Sequence, residues 1–296
     1  MAGTRRRFGW GIVGVLWVLL STGCAISPDM ASHRERSEAL WVEQTAGLPT
    51  PGSLSRKPRL WVLAAGLNDQ SKAFEGDVEG FTSAIKRINP NAVVLAMNNP
   101  HAGGELKRPF GTRENLQRAL QTMGTHMAPG DTALVMLSTH GYINILANTA
   151  GQRDYPRITG EELNAMLAPL QAYPTGVIVS ACYSGSLIPA LKSPQRWIMT
   201  AAAADRNSFG CNFSSTRTFF VDALLQSLEK QPASVSAWHQ MTEKTVRRME
   251  TAAGLTRPSN PPLWVGPQAQ ERFAKQNLRA FLVPKGAQTE LLSATD

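Results

Sequence analysis

The sequence predicts an α/β fold, a three-layer α/β/α sandwich around a mostly parallel sheet of about six strands. Three observations carry that expectation. From residue 59 onward, short apolar runs alternate with longer amphipathic stretches, which is the pattern of successive βαβ units. The runs are continuously apolar, as strands buried on both faces require. Right-handed crossovers between parallel strands then place helices on both faces of the sheet.

Taken in order, the predicted strands are Leu60 to Ala65, Ala92 to Met97, Thr132 to Ser138, Gly176 to Ala181 and Trp197 to Ala201. Pro261-Pro-Leu-Trp-Val265 adds a last edge strand. Between them the 3.6-residue spacing predicts helices over Val78 to Ile88 and Thr112 to Met127, the latter opened by Thr112 with Glu114 in the first turn. Thr159-Gly-Glu-Glu162 reads as a capping box that starts a helix running to Leu170. Thr216 to Leu228 and Val235 to Thr251 read as two more helices, followed by a helix from Pro267 to Leu278 and a short strand from Ala280 to Val283. The sequence has no internal repeat.

Both ends differ from this body. Arg5-Arg-Arg7, an apolar stretch from Phe8 to Leu20 and the small residues Ser21-Thr-Gly23 lead to Cys24. That order resembles a bacterial lipoprotein signal, in which the cysteine is lipidated and becomes the new N-terminus. The alternative is an uncleaved helix anchor, since the apolar character from Phe8 to Ile26 approaches membrane-spanning length. Either way the expected location is the cell envelope, on the periplasmic side, with the membrane as a partner through the lipid or the helix. The expected organisation is a signal segment over 1–23, a lipid-anchored flexible tether over 24–58, one globular domain over 59–285 and a polar tail over 286–296. The tether expectation rests on Pro28, Pro49, Pro51, Gly47 and Gly52 among many Ser, Arg and Glu residues, with Leu40-Trp-Val42 as an isolated patch that docks on the domain or on lipid.

Composition narrows the function classes. The chain of 296 residues is 43% hydrophobic, enough for one sizeable core, and carries a net charge of +8. Removing residues 1–23 removes only Arg5, Arg6 and Arg7, which leaves 27 basic against 22 acidic side chains, an excess of +5. That excess is scattered and not interleaved with aromatics, so no nucleic-acid partner is expected. Three cysteines exclude a disulfide scaffold. With Cys24 assigned to the lipid, Cys182 and Cys211 either pair with each other or leave Cys182 as a reactive thiol.

The chemistry-bearing segments are Leu134-Val-Met-Leu-Ser-Thr-His140-Gly141 and Val177-Ile-Val-Ser-Ala-Cys182-Tyr-Ser-Gly-Ser186. Each is an apolar run that stops at a reactive side chain. Ligands of open α/β sheets bind beyond the carboxyl ends of the strands, so two such strands present Cys182 as nucleophile and His140 as its base. The other histidines fall elsewhere: His33 in the tether, His101 in a turn, His126 and His239 in helices. The turn after Cys182 feeds a short helix whose free N–H groups and dipole favour a thiolate. The backbone N–H groups of Cys182 and Gly141 are the candidate donors to an oxyanion.

Thr139-His140-Gly141, Ser180-Ala181-Cys182-Tyr-Ser-Gly-Ser186 and Met199-Thr-Ala-Ala-Ala-Ala-Asp205-Arg-Asn-Ser208-Phe-Gly-Cys211 together resemble the legumain-type cysteine peptidases, in particular their bacterial branch. The resemblance runs from about residue 59 to 266. It implies a caspase-like sandwich, His140 as general acid/base, Cys182 as the acyl-forming nucleophile, Gly141 and Cys182 as the oxyanion hole, and a peptide or protein substrate. It also implies no metal and no organic cofactor. Ser180, Asp205 and Ser208 would line the pocket for the side chain before the scissile bond. The chain departs from the plant and animal members in having Thr139 for Asp, Ser180 for Glu and, in the matching stretch Lys72-Ala-Phe-Glu-Gly-Asp77, no evident counterpart of the basic residue that helps select Asn, so asparaginyl specificity does not carry over. Glu75 and Asp77 are either a selector for a basic side chain or a helix-start cap.

The expected function is therefore a cysteine endopeptidase or transpeptidase of the envelope, the two sharing one acyl-enzyme. A binding or scaffolding protein that keeps the fold without catalysis is the alternative. A serine esterase is disfavoured because no Gly-x-Ser-x-Gly elbow surrounds Ser184 or Ser186.

Overall fold

The computed structural model describes residues 28–51, 56–101, 103–212 and 214–284. The signal segment, Cys24 and the tail over 286–296 lie outside the described residues. The main sheet is built from β1 (Leu60–Gly66), β2 (Val93–Asn98), β3 (Thr132–Ser138), β4 (Thr175–Ser180), β5 (Arg196–Thr200) and β6 (Leu263–Val265). Its spatial order is β2-β1-β3-β4-β5-β6, with every pairing parallel except that of β6 on β5. The six strands predicted between Leu60 and Val265 are thus all present within one or two residues of the expected bounds.

Alternation of side chains across the pleat splits each apolar run between two cores. Leu60, Val62 and Ala64 face one layer and Trp61, Leu63 and Ala65 the other, all of them buried. The first layer consists of α2 (Lys72–Ile88), α6 (Phe219–Glu229), α7 (Val235–Ala252) and α9 (Leu278–Leu282). The second consists mainly of α3 (Arg113–His126) and α4 (Gly160–Met166). The three-layer α/β/α sandwich expected from the sequence is the architecture found.

Helix starts follow local chemistry. Thr112 caps α3 by accepting from the Asn115 N–H, and Thr159 with Glu162 forms the expected reciprocal capping box of α4. Pro169 then confines the rest of the predicted helix to a single 3-10 turn, Ala168–Leu170. α2 begins at Lys72, six residues before the predicted start, because Ser71 caps it and Ala73, Phe74 and Asp77 already belong to its buried face.

Two expectations are corrected. Residues Pro28–Thr45, expected as flexible tether, form helix α1. Pro28 opens it at a position where the missing N–H costs nothing. It is fastened by buried Trp41 and Leu40, by the Arg118 guanidinium stacked 4.5 Å from the Trp41 ring, and by Phe110 N–H donating to Ser37 Oγ. At its far end Gln44 Oε1 accepts the Ala96 N–H of β2 at 3.0 Å. The second correction is Ala280 to Val283, expected as a strand and found as the end of α9. Asn277 caps this helix, and Leu278, Phe281 and Leu282 bury one helical stripe.

Asp131, fully buried before β3, ties the loop of residues 56–59 to the sheet. It accepts from Arg56, the Arg59 N–H, the Trp61 indole N–H at 2.8 Å and the Ala128 N–H. Asp131→Ala leaves the Arg56 guanidinium without its counter-charge and the Trp61 indole N–H without its acceptor in a largely buried site, and is expected to cost about 3 kcal/mol. Thermal denaturation of the two proteins side by side measures this.

Candidate active site

β3 and β4 are neighbours in the sheet, and Ser138 and Ser180 are register partners at their carboxyl ends. One further bond, Thr139 N–H to Ser180 O at 3.0 Å, carries the pairing past the last ladder position. His140 and Cys182 each follow two residues later, so they leave the sheet from the same rim.

The backbone enforces closeness there. A Cβ on Gly141 would overlap the carbonyl oxygen of Cys182 and come within 2.9 Å of Ala181 Cβ, so only glycine lets the two strand ends meet. His140, Gly141 and Cys182 line one groove of about 600 Å³, together with Tyr142, Asn148, Asp154, Arg157 and Asn207. Half-buried His140 packs edge-on against Phe74, with ring centroids 4.9 Å apart, and its burial lowers the imidazole pKa. A base that stays neutral below the usual histidine range suits proton abstraction from a thiol.

Immediately after Cys182, Tyr183 adopts a left-handed conformation, φ 55° and ψ 15°. That conformation costs a bulky residue on the order of 1–3 kcal/mol. The turn is held by Tyr183 N–H to Arg206 O at 2.7 Å and by Gly185 N–H to Ala202 O at 2.8 Å. The predicted helix after Cys182 is a 3-10 turn, Ser184–Leu187, running into α5 (Ile188–Leu191). Cys182 and Cys211 are both free thiols, so the disulfide alternative is not realised in this structure. Burial, and next the electrostatic interaction with Cys182, raise the Cys211 pKa.

Residues 201–212 and 214–217 form a strap without helix or strand between β5 and α6. It lies over the nucleophile: Ser208 N–H donates to Cys182 Sγ at 3.3 Å, and Ser208 Oγ is 3.6 Å from the same sulfur. The strap also presses on α2, where a Cβ at Gly76 would collide with Thr216 O and Ser71 Oγ donates to Asn212 O.

The three residues expected to contact substrate are placed differently from one another. Ser208 touches the sulfur. Asp205 is exposed and pairs with Arg257 and Arg206, lining a smaller neighbouring hollow with Tyr183 and Asn207. Ser180 is corrected: its side chain is buried and its hydroxyl is engaged with Thr218 Oγ1 at 3.0 Å, so it does not reach the groove.

Asp77 is corrected too. It is neither a cap nor an exposed selector but a fully buried carboxylate in α2 that accepts from Ser138 Oγ at 2.5 Å, Thr218 N–H at 2.9 Å and Thr218 Oγ1 at 2.9 Å. Burial pushes its pKa up to about 7 against the pull of these donors and of Arg217. Glu75 stays in the first turn of α2.

The sequence reading also missed the insert between β3 and α4. It comprises a three-stranded antiparallel sheet, residues 141–142, 145–146 and 158–159, and a hairpin of 149–150 with 153–154. This insert supplies one wall of the groove. It is fastened to the turn behind Cys182 by Asn144 N–H donating to Ser186 Oγ at 2.7 Å, and to the residue just after β1 by Thr149 N–H donating to Leu67 O.

Residues 112–254, which include both strand ends and the strap, match the model of the Peptidase C13 family. The resemblance to legumain-type peptidases therefore holds, and the match supports a function of the cysteine-peptidase kind. Caspase-1 from Spodoptera frugiperda is similar in structure, with 14% identity and a TM-score of 0.49 over 71% of this chain and 86% of that one. No protein of curated function matches the chain in sequence. Among the described residues, no helix is long and apolar enough to cross a membrane.

Proposed function

We propose that this chain is a cysteine endopeptidase, or a transpeptidase using the same intermediate, that works through a Cys182 acyl-enzyme with His140 as general acid/base. The observation that carries this reading is the register of Ser138 on Ser180, which sends His140 and Cys182 from one rim into one groove.

His140 takes the thiol proton as the sulfur attacks the scissile carbonyl carbon. The carbonyl oxygen becomes an oxyanion facing the N–H groups of Gly141 and Cys182. The N–H of Tyr183 is not a third donor, being committed to Arg206 O. Collapse breaks the C–N bond, and His140 returns its proton to the leaving amine. Water, or a second amine in transpeptidation, then attacks the thioester, gives a proton to His140 and releases the acyl group, and the sulfur recovers its proton.

We place the enzyme at the periplasmic side of the envelope, tethered through Cys24. The basic triplet, apolar run and small residues before that cysteine support the placement. Mass spectrometry of the native protein is expected to find Cys24 N-terminal and lipidated, and an intact Met1 would replace the lipid with a helix anchor.

The deciding experiment for catalysis is cleavage of a peptide library read by mass spectrometry, with Cys182→Ala as control. Cleavage at a consistent residue, absent in the control, is expected. A library left intact by well-folded protein whose two thiols alkylate equally slowly points instead to the non-catalytic scaffold.

A further inference from the structure

Beneath the groove, and outside the steps above, sits a buried charge that folding alone does not require. Asp77 is sealed from solvent, and among the described residues no lysine or arginine hydrogen-bonds to it; Arg217 acts on it through charge without a hydrogen bond. Burying a carboxylate without a paired cation costs several kcal/mol, which an apolar residue in the same helix face would avoid.

What the carboxylate gathers is specific. Oδ2 accepts from Ser138, two residues before His140, and from the hydroxyl of Thr218, while Oδ1 accepts the Thr218 N–H. The Thr218 hydroxyl also accepts the Val221 N–H as the cap of α6, so its single proton goes to the carboxylate. The Ser180 hydroxyl, 3.0 Å away and two residues before Cys182, is then the donor to Thr218. One charge thus orients a chain of hydroxyls running from β4 through the end of the strap to α2 and β3.

Building on the peptidase reading, we infer that Asp77 is a positioning residue, which holds the His140 strand end, the Cys182 strand end and the strap carrying Ser208 in one fixed arrangement through Ser138, Ser180 and Thr218. It touches neither substrate nor the reacting atoms. Asparagine in its place offers an oxygen to the Thr218 N–H and an amide group to the hydroxyls, which turn to accept. Alanine leaves Ser138 and Thr218 with no common partner.

The test is a double-mutant cycle between Asp77 and His140, read by the alkylation rate of Cys182 with iodoacetamide and peptide mapping at pH 8, above the Asp77 pKa of about 7, alongside turnover of a peptide found by the library. His140→Ala is expected to slow alkylation in the wild-type background and to change it little in Asp77→Ala. kcat is expected to fall roughly 10- to 100-fold in Asp77→Ala with KM within about 3-fold, as for a sub-ångström misplacement of reacting groups. Asp77→Asn is expected to recover most of both signals. A purely structural role would lower the melting temperature and leave the cycle additive and kcat per folded molecule intact, and that result overturns the inference. Should Asp77→Ala fail to fold, Ser180→Ala decides through the same cycle, with coupling to His140 expected and additivity counting against. A wild-type protein with His140-dependent alkylation but no peptide cleavage would sink the peptidase reading and leave the coupling standing.

Discussion

His140→Ala is expected to lower peptide turnover by roughly 1,000-fold or more, and Cys182→Ala to lower it at least as far. The double variant is expected to be no worse than the poorer single one. Two groups that act on one proton lose their function together, so their effects do not add. Measuring kcat/KM for the three variants on a single peptide checks this, and additive losses would show that the two side chains work separately. The pH dependence has a fixed sign. Burial against Phe74 lowers the His140 pKa from its ordinary value of 6.5, so the neutral base persists into more acidic solution. The acid limb of kcat/KM, which reports the free enzyme, is therefore expected below pH 6.5. An acid limb above that value would assign the limb to another group.

Gly141→Ala is the second severe substitution. The added methyl overlaps the Cys182 carbonyl oxygen and crowds Ala181, and both obstacles belong to the neighbouring strand end and cannot swing aside. The strand ends must separate, which moves the base from the nucleophile and withdraws an N–H from the oxyanion. A loss of about 100-fold or more in kcat is expected, with a stability cost of about 1–3 kcal/mol from overpacking. Turnover and melting temperature measured on the same preparation separate the two effects. Near-normal kcat in a folded variant would show that this glycine is needed for packing alone.

The sheet was readable from the sequence because its strands are buried on both faces, and nothing but an apolar run of strand length can fill such a position. The pair of reactive residues was readable for a related reason. A run such as Thr132 to Ser138 has to end where it leaves the sheet, and His140-Gly141 follows at once. The insert between Gly141 and Thr159 was not readable, since its strands are two residues long and show no period. Helix α1 was obscured by its polar composition, and its stability comes from contacts with Phe110, Arg118 and Ala96, which lie far along the chain. Asp77 looked like one of a pair of helix-start acids. Its partners are 61 and 141 residues away, and only the assembled rim shows what it binds.

The bond between Gln44 and the outer flank of β2 bears on how this protein can be prepared. An uncovered border strand invites another molecule to add itself by backbone pairing, and α1 lies across that border as a guard rail. Trimming a recombinant version to residue 59 would strip the rail away and empty the hollow that Trp41 fills, leaving a sticky margin prone to precipitation. A version starting ahead of Pro28 keeps the molecule self-contained, and comparing the two by light scattering would reveal how much of its good behaviour in solution depends on this one helix.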